Sequence, residues 1–238
     1  MFGAAAVGGI GYRGVMASAP AGTVAPRLAP LVLGDLTPLD VSVFTDTDGD
    51  DLEQCELRDT QVGEVRWSIR RRMDASLVSG LTGTSLTARG LTLTDTRLER
   101  IDLLAIAAPS AGWRDVEVHA SRLGSLELYD ANFRRVRFVG CKLGYVNLRG
   151  ADLADVAFTD CSIEDLDLMR ATASRVALTG CRVARLETTG ARLADVDLRG
   201  AQLADVSGVD GLRGATVGYD QLLDLAQVLA GRLGIRVE

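Results

Sequence analysis

Aromatic residues make up only 5% of this 238-residue chain, histidine occurs once, as His119, and lysine once, as Lys142. So few large rings suit a thin core better than a broad one. A lone histidine, with no second histidine and no carboxylate motif beside it, excludes a histidine metal site and reads as a surface residue. Also missing are a His-paired nucleophile, an HExxH helix, a phosphate-binding P-loop and a GxGxxG turn. An enzyme therefore lacks its parts, and no cofactor or metal is expected. No stretch approaches the ~20 apolar residues that cross a membrane as a helix. The four cysteines, Cys55, Cys141, Cys161 and Cys181, have no disulfide spacing and favour a reducing, cytoplasmic setting. With 32 acidic against 26 basic residues, a net charge of -6, a pI near 5.0 and no basic stripe, direct binding to nucleic acid is disfavoured.

What is present is a period. From Ala131 to Asp210 the chain reads in fives: ANFRR VRFVG CKLGY VNLRG ADLAD VAFTD CSIED LDLMR, continuing to VDLRG AQLAD. The third residue of each five is usually Leu or Phe and the first is Ala, Cys, Val or Leu. Residues two apart share a face in extended chain, so first and third positions go inward together. A helix would return its apolar residues at three and four, and this pattern holds at five without drift. Extended pieces broken regularly by Gly, Asp, Arg and Thr predict a solenoid that bends after every five.

First positions also alternate small and large: Ala131, Cys141, Ala151 and Cys161 interleave with Val136, Val146, Val156 and Leu166. Alternate fives are alike and neighbours are not, which a four-sided coil of twenty residues satisfies. Cys141, Cys161 and Cys181 then fall in one inward ladder with Ile101, Ser121 and Ala201, as small hydrophobes with poor geometry for a disulfide. Trp113, preceded by the small Ala108, reads as a core residue.

Units such as Ala151-Asp152-Leu153 and Val146-Asn147-Leu148 resemble the A(D/N)LXX pattern of the pentapeptide-repeat family, clearly from about Leu91 to Asp210 and more loosely back to Asp50. The resemblance implies an all-β solenoid, a right-handed quadrilateral β-helix, here with a short C-terminal α-helix. The repeat is a structural motif and carries little about function.

Three regions are expected. Residues 1–40 form an N-terminal Ala/Gly/Pro-rich segment, partly disordered or capping. Residues 41–212 form the β-helix, with a register break near 68–80, and residues 213–238 form a capping or dimerisation helix. The run FGAAAVGGIG followed by ASA at 17–19 is similar to a signal peptide but lacks a basic start, and Met16 is a second candidate start. Near the break the five-residue spacing of Leu52, Leu57, Val62 and Trp67 slips by one, at Arg70, Arg71 and Arg72. Burying an unpaired charge is prohibitive, so this piece is expected to bulge outward, as a corner or as a basic recognition loop. At the other end Leu222, Leu225, Leu229 and Leu233 recur at helical spacing, with Gly234 just beyond. They are the candidate cap of the open coil and the candidate contact of a homodimer.

The family resemblance also implies a function for some members: rods that imitate duplex DNA in width and charge and bind type II topoisomerases such as DNA gyrase, protecting them from quinolones or peptide toxins. Here the charges depart from that picture, with eleven acidic and eleven basic residues interleaved between Ala131 and Asp210. The excess negative charge lies in residues 40–64, where Asp46, Asp48, Asp50, Asp51, Glu53, Glu56 and Asp59 form a candidate partner-binding acidic end. The expectation is a non-enzymatic rod that acts as a protein-interaction scaffold for an unidentified partner. The alternative is a DNA mimic acting on gyrase.

Overall fold

The structure, a computed structural model, describes residues 22–68, 70–232 and 234–236. The two readings of the N-terminus, leader-like run and start at Met16, fall on residues outside that set. Within it, the first and third residues of each five point inward. One coil is enough to see it: Ile101 and Leu103, Ile106 and Ala108, Ala111 and Trp113, and Val116 and Val118 are all buried. Four inward pairs per twenty residues make four walls around a narrow column.

The coils stack as parallel strands. Each full repeat contributes one eight-residue strand, such as Gly112–His119 or Asn132–Val139, and one six-residue strand, such as Arg122–Glu127 or Lys142–Asn147. The longer ones join a 12-stranded sheet and the shorter ones an 8-stranded sheet, giving a parallel β-solenoid of about 9 coils. Pairing partners are twenty residues apart, as in Trp113 opposite Phe133 and Leu123 opposite Leu143. Each longer strand bends at its middle, where Asp115, Arg135, Asp155 and Arg175 take left-handed φ between 52° and 60°. Asp tolerates that conformation and Arg does so at a cost, so the corner is over-determined by its neighbours. At another corner glycine is favoured: Gly180 has φ 65°, and a Cβ there would come within 2.3 Å of the Asp160 carboxylate, although Arg100, Ala120 and Asp160 hold the same conformation in other coils.

Rings stack up the column from one coil to the next. Trp113 lies 4.8 Å from Phe133, and Phe138 lies 4.7 Å from Phe158, both nearly parallel. The cysteines are free and buried, Cys141 and Cys161 donating to the Val139 and Thr159 carbonyls, as small hydrophobes would sit. A hydrogen bond with Cys161, together with burial, pushes the Cys141 thiol far above its ordinary range, which makes it a poor nucleophile.

The first coil is one residue longer than the twenty-residue coils that follow it. Leu52 sits opposite Met73 and Gln61 opposite Thr82, twenty-one apart, whereas Arg72 faces Thr92. The extra residue lies between Arg66 and Arg72. The expectation that the arginines all turn outward fails at Arg71, which is only 2% exposed. Its charge is not unpaired: Nε and Nη2 donate to the Asp50 carbonyl at 3.0 and 2.6 Å, and Nη1 donates to the Asp46 carbonyl at 3.1 Å. The guanidinium also lies 4.6 Å from the Trp67 ring. Backbone acceptors and a ring face together offset the desolvation that excluded this position in the sequence.

Those acceptors belong to a cap. Helix α1 (Val41–Thr45) begins at Asp40, whose carboxylate accepts from the Ser42 amide, and it drops Phe44 into the open end against Trp67, 5.3 Å away edge to face. At the opposite end helix α2 (Tyr219–Arg232) lies over the last coil. Gln221 Nε2 donates to the Leu198 and Ala201 carbonyls at 2.6 and 2.7 Å, and Leu225 is buried beneath it. Both exposed edges of the solenoid are thus covered.

Candidate functional site

The predicted acidic residues do not form one uniform patch. Asp46, Asp48, Asp50 and Asp51 share the exposed loop that wraps Arg71, and Glu53 is exposed on the strand that follows. Glu56 is half-buried and paired with Arg58 at 2.8 Å, while Asp59 faces Arg100 at 3.2 Å. The dense part of the acidic end is therefore the Asp46–Glu53 stretch. Among the C-terminal leucines, Leu225 is buried and Leu229 partly so against the core, whereas Leu222 is 45% exposed. Leu233 lies outside the described residues. Tyr219, Leu223 and Val228 add exposed apolar surface to the same helix.

The walls carry paired charge. Arg134 meets Asp152 at 2.7 Å, Arg149 meets Asp167 at 2.6 Å and Arg185 meets Asp165 at 3.1 Å. Along the bent corner Asp115 and Arg135 form a two-pronged pair at 2.6 and 2.7 Å, repeated two coils on by Asp155 and Arg175 at 2.6 and 2.8 Å. The Asp167 side chain is only 4% exposed, so Arg149, itself outward, holds a buried carboxylate. Among the described residues no three His, Cys, Asp or Glu side chains converge as a metal site, and no helix is long and apolar enough to cross a membrane.

Residues 22–36 have no helix or strand and run the length of the rod as a strap. The Thr23 hydroxyl meets that of Thr216 at the C-terminal end, and Thr37–Pro38 pairs with Cys55–Glu56 at the other. Between these points the strap's amides donate to carboxylates on the bent corner or just past it: Val24 to Asp195 at 3.1 Å, Arg27 to Asp155 at 2.9 Å and Leu31 to Glu117 at 3.3 Å. Residues 22–36 are thus laid along a wall. A clue was available: Asp115, Asp155 and Asp195 recur every forty residues, with Arg135 and Arg175 between them.

Glu117 is the hub of the contact. It is 6% exposed and accepts from Arg97, Arg137, His119 and the Leu31 amide, at 3.0, 2.9, 3.1 and 3.3 Å. Half-buried His119 is therefore engaged, against its reading as a plain surface residue. Burial alone would raise the Glu117 carboxyl pKa, but the bonds from His119, Leu31 and Arg97 outweigh it and hold the group below its ordinary value. The Arg175 hydrogen bond, against burial and aided by the Arg27 amide, likewise lowers Asp155. Both folded values lie below the unfolded ones, so their stabilisation is complete above about pH 4.3 and is lost as pH falls through the folded pKa values. The protection factors of the Arg27 and Leu31 amides, corrected for the slower intrinsic exchange in acid, should accordingly fall before those of the core strands; unchanged protection down to global unfolding would contradict this.

Comparison with known proteins agrees with the repeat. A family model described as a pentapeptide repeat region matches residues 111–187. No curated protein sequence matches the chain. Among solved structures, trypsin-treated QnrB1, a plasmid-mediated fluoroquinolone resistance protein, aligns at 15% identity over 85% of this chain and 98% of its own, with a TM-score of 0.41. HetL, a pentapeptide repeat protein involved in heterocyst differentiation regulation in the cyanobacterium Nostoc sp. strain PCC 7120, aligns at 19% identity over 71% and 89%, with a TM-score of 0.19.

Proposed function

We propose, from the premise that this chain is a pentapeptide-repeat protein, that it is a non-enzymatic cytoplasmic rod whose work is to bind another protein. The observation that carries the reading is the state of the walls. Their charges are interleaved and matched from coil to coil, as in Arg134 with Asp152, Arg185 with Asp165 and Asp115 with Arg135. Exposed pairs of this kind add only ~0 to 1 kcal/mol each, so they solubilise the walls more than they stabilise them. Flat, regular, neutralised walls offer area and register to a protein surface. The exposed Leu104, 69% accessible on one wall, is an apolar contact point within that pattern.

A second reading, modulation of DNA gyrase by imitation of DNA, is favoured by one observation: the exposed acids Asp46, Asp48, Asp50, Asp51 and Glu53 lie together at one end. Mimicry along the whole rod would need a continuous negative wall, and the paired walls argue against it. Supercoiling by gyrase, titrated with the protein at low and moderate salt and with or without a quinolone, separates the two readings. The scaffold reading expects no effect, together with photo-crosslinks to a protein partner from position 104 on the wall. Salt-sensitive inhibition or protection that disappears when the Asp46–Asp51 carboxylates become amides would overturn it in favour of the mimic. Dimerisation through the exposed face of α2 belongs to the same proposal and predicts that Leu222→Glu with Leu223→Glu yields a monomer.

A further inference from the structure

We propose that the wall under residues 22–36 is a binding groove for an extended, proline-bearing segment of a partner protein, and that the strap is a built-in occupant which such a segment displaces. The proposal rests on the protein-binding reading above and names the chemistry of the segment.

The strap defines that chemistry. From Val24 to Leu31 it passes seven residues, while its carboxylate partners run from Asp195 on the corner to Glu117, which lies two residues past the corner residue Asp115 and four coils away. Four coils at about 4.8 Å each are ~19 Å, and seven residues of extended chain reach ~22 Å, so only an extended segment keeps this register. Pro26 and Pro30 favour such a chain and remove amides that would have no partner there. What the groove recognises is backbone: carboxylate oxygens of Asp195, Asp155 and Glu117 accept amides at intervals of three and four residues, and Arg97 Nη2 returns a bond to the Leu31 carbonyl at 3.1 Å. The acceptors are held in place from behind, Asp155 by Arg175 and Glu117 by Arg97 and Arg137. A groove that reads amides tolerates other side chains.

The strap is also a poor fit. Val24, Arg27 and Ala29 are exposed, and Val32 is 86% accessible. Between residues Leu28–Val32 and Asp95, Asp115 and Arg135 a partly open cavity of about 290 Å3 is left between strap and wall. Tethering through the Thr37–Pro38 pairing gives the strap an effective concentration of the order of millimolar, which compensates for the loose fit in cis. A segment that fills the cavity can win in trans.

The test uses a fluorescein-labelled peptide of residues 22–36 as the probe, with the full chain as receptor. Arg27→Pro with Leu31→Pro deletes two strap amides and leaves every groove residue unchanged. The labelled peptide is expected to bind this variant at least about tenfold more tightly than the parent, while a peptide carrying the same two prolines binds neither. The proposal is overturned if amide exchange finds the variant's strap released and the native peptide still does not bind. It is equally overturned if light scattering finds a dimer that the peptide dissociates, because the occupant is then a second copy. Since the probe is this chain's own segment, a failure here leaves the crosslinking test of the protein-binding reading intact, and the reverse also holds.

Discussion

Leu168→Asp should unravel the C-terminal coils of the rod. Leu168 is 5% exposed and stacks in the column above Leu148, with Leu178 and Leu186 also buried in that stretch. Removing the burial costs about 1.5 to 3 kcal/mol, and an unpaired carboxylate in its place adds several more, against a typical total stability of ~5 to 15 kcal/mol. The surroundings of Leu168 are apolar side chains and Thr188, whose hydroxyl is committed to the Ser207 and Gly208 carbonyls. Because each coil contacts only the next, the damage should appear as fast amide exchange from about Leu148 onward, with the first coils better protected. Arg149→Ser is the comparison. It leaves Asp167 with the Met169 amide at 3.0 Å and the Tyr145 hydroxyl at 3.3 Å, so its cost should be clearly detectable yet far smaller. Equal melting temperatures for the two variants would refute the register.

Arg71→Ala should open the other end. It removes the charge-assisted hydrogen bonds to the part-buried Asp46 and Asp50 carbonyls, worth about 1.5 to 3 kcal/mol each, and the cation over Trp67. The cap formed by α1 and the following loop should detach, carrying Phe44 out of the column and exposing Trp67 to water. A red shift of Trp67 emission in a Trp113→Phe background reads this directly. Arg71→Met, which keeps the stem over the ring and lacks the donors, should fall between Ala and the parent. If Arg71→Ala leaves Trp67 emission and the exchange of residues 43–50 unchanged, the cap is held by Phe44 alone.

The two ends of the chain mark how far periodicity can be read. From Leu91 onward every inward residue was legible, because a five-residue repeat assigns a face to each position and a column has one solution. At Arg71 the same logic erred. It priced burial for an isolated charge, whereas the acceptors sit twenty or more residues away at Val43, Asp46 and Asp50, brought there by a cap with no repeat. Arg149 is outward as its slot implies, with 48% of its side chain exposed; what the slot does not show is its bond to Asp167, nearly buried one coil on. Helical spacing identified α2, whereas α1, five residues long, is too short for any period to register.

The strap lies at the limit of this reasoning. Its residues 22–36 have no repeat, and nothing local ties Val24 to Asp195 or Leu31 to Glu117, contacts that span 171 and 86 residues. By itself the sequence determined the coil: the five-residue period, the inward pairs, the alternation of small and large walls and the columns of cysteines and rings, all consequences of strand geometry repeated at a fixed interval. Only the tertiary structure decided how the ends close, which charges are shared between coils and which wall the strap covers. Those depend on backbone acceptors and carboxylates meeting across long separations in chain, and a side-chain period carries no record of such meetings.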